Sequence, residues 1–126
     1  MTDKKSKVIL IEDEEMLSNM YEAKFIKEGF DIKKALDGET GLKLIQEENP
    51  DLVLLDIIMP KLDGFSVLRK IKEDPKNKNI PVILLTNLGQ DEDVKKGNSL
   101  GASGYLVKAN MTPAQVVEKV KGFLKK

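Results

Sequence analysis

Leu52-Val53-Leu54-Leu55-Asp56-Ile57-Ile58-Met59-Pro60 decides the fold: four apolar residues in a row, then an acid, then a short stretch ending in proline. The apolar run is strand-sized and does not alternate with polar residues, as expected of a strand covered on both faces. Three more runs share that form: Val8-Ile9-Leu10-Ile11, Val82-Ile83-Leu84-Leu85 and Tyr105-Leu106-Val107. A more polar stretch from Asp31 to Leu36 reads as an edge strand.

Between these runs the apolar period turns helical. One series is Met16, Leu17, Met20, Ala23 and Ile26, with Phe25 beside it; others are Leu42-Leu44-Ile45, Val67-Leu68-Ile71 and Val116-Val117-Val120-Phe123-Leu124. Asp91 to Leu100 has only Val94 and Leu100 as sizeable apolar residues, and it reads as a helix mainly because a crossover is needed there. Pro50 before Asp51 and Pro81 before the next run mark helix exits, and Thr112-Pro113 is an N-cap followed by proline at the first helical position. Strand and helix thus alternate five times. That order implies a parallel sheet with right-handed crossovers and helices on both faces, a three-layer α/β/α sandwich.

In such a sheet ligands bind outside the carboxyl ends of the strands. Glu12 and Asp13 follow the first strand, Asp56 the third, Thr86 the fourth and Lys108 the fifth. Taken singly, most have ordinary structural explanations. Glu12-Asp13-Glu14-Glu15 suits a helix N-terminus, Thr86 a turn, and Lys108 a solvated rim. Asp56 resists that treatment, because a carboxylate directly after an apolar strand is partly desolvated and needs a partner. Acid pair, acid, hydroxyl and amine on one rim form a constellation.

Composition narrows the chemistry. The chain of 126 residues is 40% hydrophobic and 33% charged, the balance of one soluble globular domain, and we read residues 1–126 as a single domain. Lys+Arg and Asp+Glu number 21 each, so no net charge favours nucleic acid or an anionic membrane. There is no cysteine and no histidine, which excludes disulfides, thiolate or imidazole metal sites, Ser-His-Asp catalysis and phosphohistidine on this chain. The start, MTDKKSK, is polar, with too short an apolar run behind it for a signal peptide or membrane span, so the expected location is cytoplasmic.

What remains suits a phosphoryl acceptor. Clustered carboxylates repel one another and call for a hard cation; Mg²⁺ takes oxygen ligands. A carboxylate nucleophile is already ionised at neutral pH and needs no histidine. Phosphoryl transfer asks mainly for positioning and charge neutralisation, which a lysine and a hydroxyl can help supply.

Lys7-Val-Ile-Leu-Ile-Glu-Asp-Glu, Leu52-Val-Leu-Leu-Asp56-Ile-Ile-Met-Pro60-Lys-Leu-Asp-Gly64, Pro81-Val-Ile-Leu-Leu-Thr86 and Gly104-Tyr-Leu-Val-Lys108 resemble the receiver domain of two-component response regulators, over essentially the whole chain and in order. The resemblance implies a five-stranded, doubly wound, flavodoxin-like sheet of order 2-1-3-4-5. It implies a cytoplasmic, bacterial phosphorelay switch rather than an enzyme with turnover. Asp56 would be the phosphorylated aspartate; Glu12 and Asp13 the acidic pair, with Asp13 a direct Mg²⁺ ligand and Glu12 acting through water; and Ile58 would add its backbone carbonyl. Thr86 resembles the switch hydroxyl, Lys108 the phosphate-pairing lysine and Tyr105 the aromatic rotamer switch, although a half-buried edge aromatic explains Tyr105 too. The implied partners are a sensor histidine kinase or phosphotransfer protein and a downstream protein target met by the fourth helix, fifth strand and fifth helix. The domain would bind neither nucleic acid nor membrane, as a monomer or a phosphorylation-dependent dimer. Leu17 and Met20 could belong to a kinase-docking face or to the core.

Three positions depart from the family pattern. Ala109 follows Lys108 where proline is common; a cis Lys-Ala bond costs about 3 kcal/mol, so a trans bond or an altered loop is expected. Asn87 stands where a small residue is usual, and would narrow access to the phosphate or contact it through its amide. Ile58 and Leu88, both apolar, flank the path of the hydrolytic water, which predicts slow loss of the phosphoryl group.

Two rivals share the fold class. An aspartate-nucleophile phosphohydrolase needs a second aspartate two residues after the first, where this chain has Ile58; a flavin carrier needs a phosphate-binding loop where four acids stand. A receiver acting as an unphosphorylated docking module, or one cut from a longer regulator with an output domain, is compatible with the residues. We expect a stand-alone regulator, since no recognition helix or basic patch follows the last helix.

Overall fold

The computed structural model describes residues 5–125; the polar start at residues 1–4 and the terminal Lys126 lie outside the described residues. Strands and helices follow one another as β1 (Lys7–Ile11), α1 (Glu15–Lys27), β2 (Asp31–Ala35), α2 (Gly38–Glu48), β3 (Leu52–Leu55), α3 (Gly64–Glu73), β4 (Val82–Thr86), α4 (Asp91–Ser99), β5 (Gly104–Val107), a 3₁₀ turn (Lys108–Asn110) and α5 (Pro113–Leu124). The strands lie in the order β2-β1-β3-β4-β5 and every neighbouring pair is parallel. This is the expected doubly wound sandwich.

Continuous apolar strands need cover on both sides, and they receive it. Val8, Leu10, Leu52, Leu54, Ile83 and Leu85 point to one face, where Tyr21 and Phe25 of α1 and Val116, Val117 and Val120 of α5 close over them. Ile9, Ile11, Val53, Leu55, Val82 and Leu84 point to the other, under Ile45 of α2 and Val67, Leu68 and Ile71 of α3. Each fully buried aliphatic side chain contributes about 1.5–3 kcal/mol, so the central strands anchor the molecule. The two edge strands are less covered, as the polar sequence of β2 suggests.

The α1 pattern needs correction. Met16, Met20 and Ile26 are 76%, 51% and 58% exposed, and Ala23 is exposed as well. Ser18, Tyr21 and Phe25 are the residues that face inward, and Phe25 meets Phe30 edge-on at 5.1 Å. Apolar residues occur on both sides of this helix, and the side offering two large aromatic surfaces wins the core.

Helix α4 forms despite its weak pattern, and a glycine explains how it packs. A Cβ on Gly97 would lie 2.6 Å from Leu84 Cδ1, so the helix backbone sits directly on β4. At α5, Thr112 and Gln115 form a reciprocal capping box and Pro113 opens the helix, as the sequence suggests. Among the described residues no helix is long and apolar enough to cross a membrane.

Candidate functional site

The parallel register places the site. Ile11 lies opposite Leu55, and Leu55 opposite Leu84, so the chain leaves β1, β3 and β4 along one rim. The ladder continues one residue past two of these strands. Glu12 N–H donates to the Ala35 carbonyl and Asp56 N–H to the Ile11 carbonyl, each at 3.0 Å. Both acids therefore stand on backbone fixed by the sheet.

Glu12 is 1% exposed and Asp56 6%, while Asp13 faces solvent. One carboxylate oxygen from each lies within 4.8 Å of the others. Lys108 reaches in from the end of β5, with Nζ 2.8 Å from Asp56 Oδ2 and ion-paired to Glu12 Oε1. Burial pushes the Glu12 carboxyl above its ordinary pKa, against the pull of Lys108 and the Glu14 N–H. Burial also works against the Lys108 ammonium, but its bonds to Asp56 and Glu12 outweigh that and hold its pKa above the usual value.

The remaining contacts fix individual atoms. Asp56 Oδ1 accepts the Ile57 N–H at 2.7 Å. Glu12 Oε2 accepts the Glu14 N–H at 3.0 Å. Both Glu12 oxygens are thus engaged, whereas among the described residues no hydrogen bond or ion pair takes Asp13's carboxylate. Behind Asp56, Gly64 packs so tightly that a Cβ there would lie 2.1 Å from the Asp56 carbonyl oxygen. The glycine closing the Asp63-Gly64 pair is a spacing requirement of the acid's own backbone.

Thr86 is buried, and its Oγ1 accepts the Leu88 N–H at 3.3 Å. Tyr105 is half-buried against Gly97, and its hydroxyl donates to the Leu88 carbonyl. Burial, with the nearby charges of Asp93 and Asp56, pushes that phenol up to about 12, so it stays a neutral donor. Ile58, 62% exposed, extends from the loop after Asp56, while Leu88 is partly buried against the core beneath α2 and α3.

The Lys108–Ala109 bond is trans, like every peptide bond among the described residues, and the chain turns there in a single 3₁₀ turn. Asn87 uses its amide oxygen to accept the Ala109 N–H at 3.0 Å. The sequence reading missed this bond and also missed Tyr21, which α1 buries against the sheet near the charges of Lys108, Glu12 and Asp56. The signal for the first was Ala109 itself, since alanine keeps the N–H that proline lacks.

An all-oxygen acidic pocket with three carboxylates, only two of them paired to its single ammonium, suits a hard divalent cation such as Mg²⁺, and no nitrogen or sulfur donor competes for a softer metal. Fold and rim together define a doubly wound α/β domain with an acidic pocket at its strand ends. Residues 8–121 match the sequence model of the response regulator receiver domain. The chain is 39% identical over 103 residues to the response regulator PleD of Caulobacter vibrioides, covering 82% of this chain and 23% of PleD. It is 37% identical over 122 residues to the probable transcriptional regulator ycf27 of Guillardia theta, covering 97% of this chain and 46% of that protein. The chain therefore spans less than half the length of these relatives.

Among solved structures, the receiver domain of Francisella response regulator 1452 superposes with a TM-score of 0.87 at 32% identity, covering 95% of this chain and 97% of that one. The BeF3-activated N-terminal receiver domain of Klebsiella pneumoniae RstA gives 0.88 at 29% identity, covering 96% and 100%. This chain belongs to the response regulator receiver family. Members are signalling switches of two-component systems that bind Mg²⁺ at an acidic pocket and work with histidine kinases or phosphotransfer proteins and with output domains.

Proposed function

We propose that this chain is a phosphorylation-activated switch that accepts a phosphoryl group on Asp56 from a histidine kinase or phosphotransfer protein. A carboxylate oxygen of Asp56 attacks phosphorus; the new O–P bond is an acyl phosphate, and the N–P bond of the donor phosphohistidine breaks to release the imidazole. The observation that carries this reading is Lys108 Nζ at 2.8 Å from Asp56 Oδ2, a cation already placed where phosphoryl charge would arrive. The Ile57 N–H steadies the other Asp56 oxygen. Thr86 has its hydroxyl proton free to donate to a phosphoryl oxygen while its oxygen keeps the Leu88 N–H.

Asp13, Asp56 and the Ile58 carbonyl, with Glu12 through water, would hold a Mg²⁺ ion that neutralises charge on the donor phosphate. The free Asp13 carboxylate and the fully engaged Glu12 favour that division of labour. Thr86 and Tyr105 meet at Leu88, whose N–H and carbonyl they hold, so a shift of Thr86 reaches the α4-β5-α5 face through one residue. Met16 and Met20 present an exposed apolar stripe on the helix that starts beside the acidic pair, a surface for the phosphodonor; Leu17 instead packs on the core.

The test is intact mass after incubation with Mg²⁺ and a small acyl-phosphate donor. Wild type should gain one phosphoryl group only with the metal, and Asp56→Asn should gain none. Absence of an adduct together with failure to bind Mg²⁺–fluoroberyllate would overturn the reading and favour a constitutive docking module.

A further inference from the structure

We infer that Asn87 is a positioning residue for Lys108: its amide oxygen, accepting the Ala109 N–H at 3.0 Å, ties the Lys108–Asn110 turn to the loop that follows Thr86. The inference rests on the proposed role of Asp56 as phosphoacceptor and names a part of its machinery outside the pocket.

The first N–H groups of a helical turn have no partner within it and must find acceptors elsewhere. Here the turn's own bond runs from the Met111 N–H to the Lys108 carbonyl at 3.1 Å, which leaves the Ala109 N–H over. Asn87 supplies the acceptor from a different strand connection. Sequence makes this possible at both ends: an amide at 87 provides the oxygen, and an alanine at 109 keeps the hydrogen.

The held peptide is the one that leaves Lys108. A lysine is a point charge on a flexible four-carbon stem, and aiming it requires a fixed root as well as an attractive target. Asp56 and Glu12 attract the tip, and Asn87 fixes the root. Once Asp56 carries a phosphoryl group the tip must re-aim at phosphoryl oxygens, and only the root constraint persists through that change. The loop is held at the residue after Asn87: Thr86 Oγ1 reaches across Asn87 to accept the Leu88 N–H, and the Tyr105 hydroxyl donates to the Leu88 carbonyl, so the anchor is itself restrained.

The experiment compares wild type, Asn87→Ala and Asn87→Asp by backbone NMR and by the rate of phosphorylation from a small acyl phosphate with Mg²⁺. In Asn87→Ala the Ala109 amide proton should move upfield and the order parameters of residues 108–110 should fall. The phosphorylation rate should drop about threefold to tenfold, the scale of one hydrogen bond, and the thermal midpoint by no more than about a few degrees for the same lost bond. Asn87→Asp keeps an acceptor oxygen and should keep the amide shift and the ordered turn, a rescue that a simple packing role would not give. An Ala109 amide indifferent to Asn87→Ala, a turn that stays ordered, or an unchanged rate would each overturn the inference. If the wild type takes no phosphoryl group at all, it is the phosphoacceptor reading that fails. The amide shift and order parameters then decide separately whether Asn87 holds the turn.

Discussion

Lys61 lies in the left-handed region at φ 69°, a conformation a side chain with Cβ adopts at a cost of roughly 1 kcal/mol or more. Its ammonium sits 3.8 Å from Asp37, a long contact whose lysine end lies in solvent and which is worth little. Lys61→Gly should therefore raise stability, by up to about 1 kcal/mol, read as a higher urea midpoint at unchanged slope. A second residue-scale expectation concerns loss of the phosphoryl group. Ile58 is exposed at the pocket mouth and Leu88 packs inward, and neither side chain can hydrogen-bond and orient an attacking water. The acyl phosphate of the purified protein should be long-lived; a half-life of only seconds would contradict this. Most of the candidate site was legible at this scale, because Glu12, Asp56, Thr86 and Lys108 each directly follow an apolar run, with Asp13 beside Glu12, and strand ends are where a parallel sheet collects chemistry. The Asn87–Ala109 bond was half legible: Ala109 announces an amide hydrogen that proline would lack, but no local pattern tells which loop brings the acceptor to it.

Among the elements, α2 carries a titratable cap. Asp37 accepts the Thr40 N–H at 2.8 Å, and that backbone bond holds its carboxyl below the ordinary carboxylate range. A depressed pKa means the cap's contribution is present above the ordinary carboxylate value and is lost as pH falls through the lowered one. The difference in urea midpoint between wild type and Asp37→Ala should thus shrink on acidification through that window. The strands were readable because continuous apolar runs such as Leu52–Leu55 have one meaning inside an alternating β-α order. Helix α1 was read as a helix, but its inward face was not legible, because Met16, Met20 and Ala23 repeat at helical spacing as well as Ser18, Tyr21 and Phe25 do, and period alone cannot choose between two stripes. Helix α4 carried almost no apolar signal, since its closest approach to the sheet is made by Gly97, whose contribution is the absence of a side chain.

For the whole molecule, sheet and pocket have separate jobs. Two cores, one on each face of the sheet, hold the fold, and the acids gather at one rim outside both. Removing divalent cations should leave the fold intact. Adding Mg²⁺ should raise the thermal midpoint by mass action, with about 2.7 kcal/mol of stabilisation at a hundred times the dissociation constant. Asp13→Asn should blunt that rise, and calorimetry across a Mg²⁺ series reads both. One element stands apart from the cores: in α4 only Gly97 is buried, while every central strand is buried along most of its length. Segments with so few apolar anchors open at far lower free energy than the global unfolding reaction, and amide hydrogens exchange from them first. Under the proposed function, the helix with the fewest buried residues lies against the face that would report the state of Asp56, so amide exchange in α4 should be the readout that changes when Asp56 is phosphorylated.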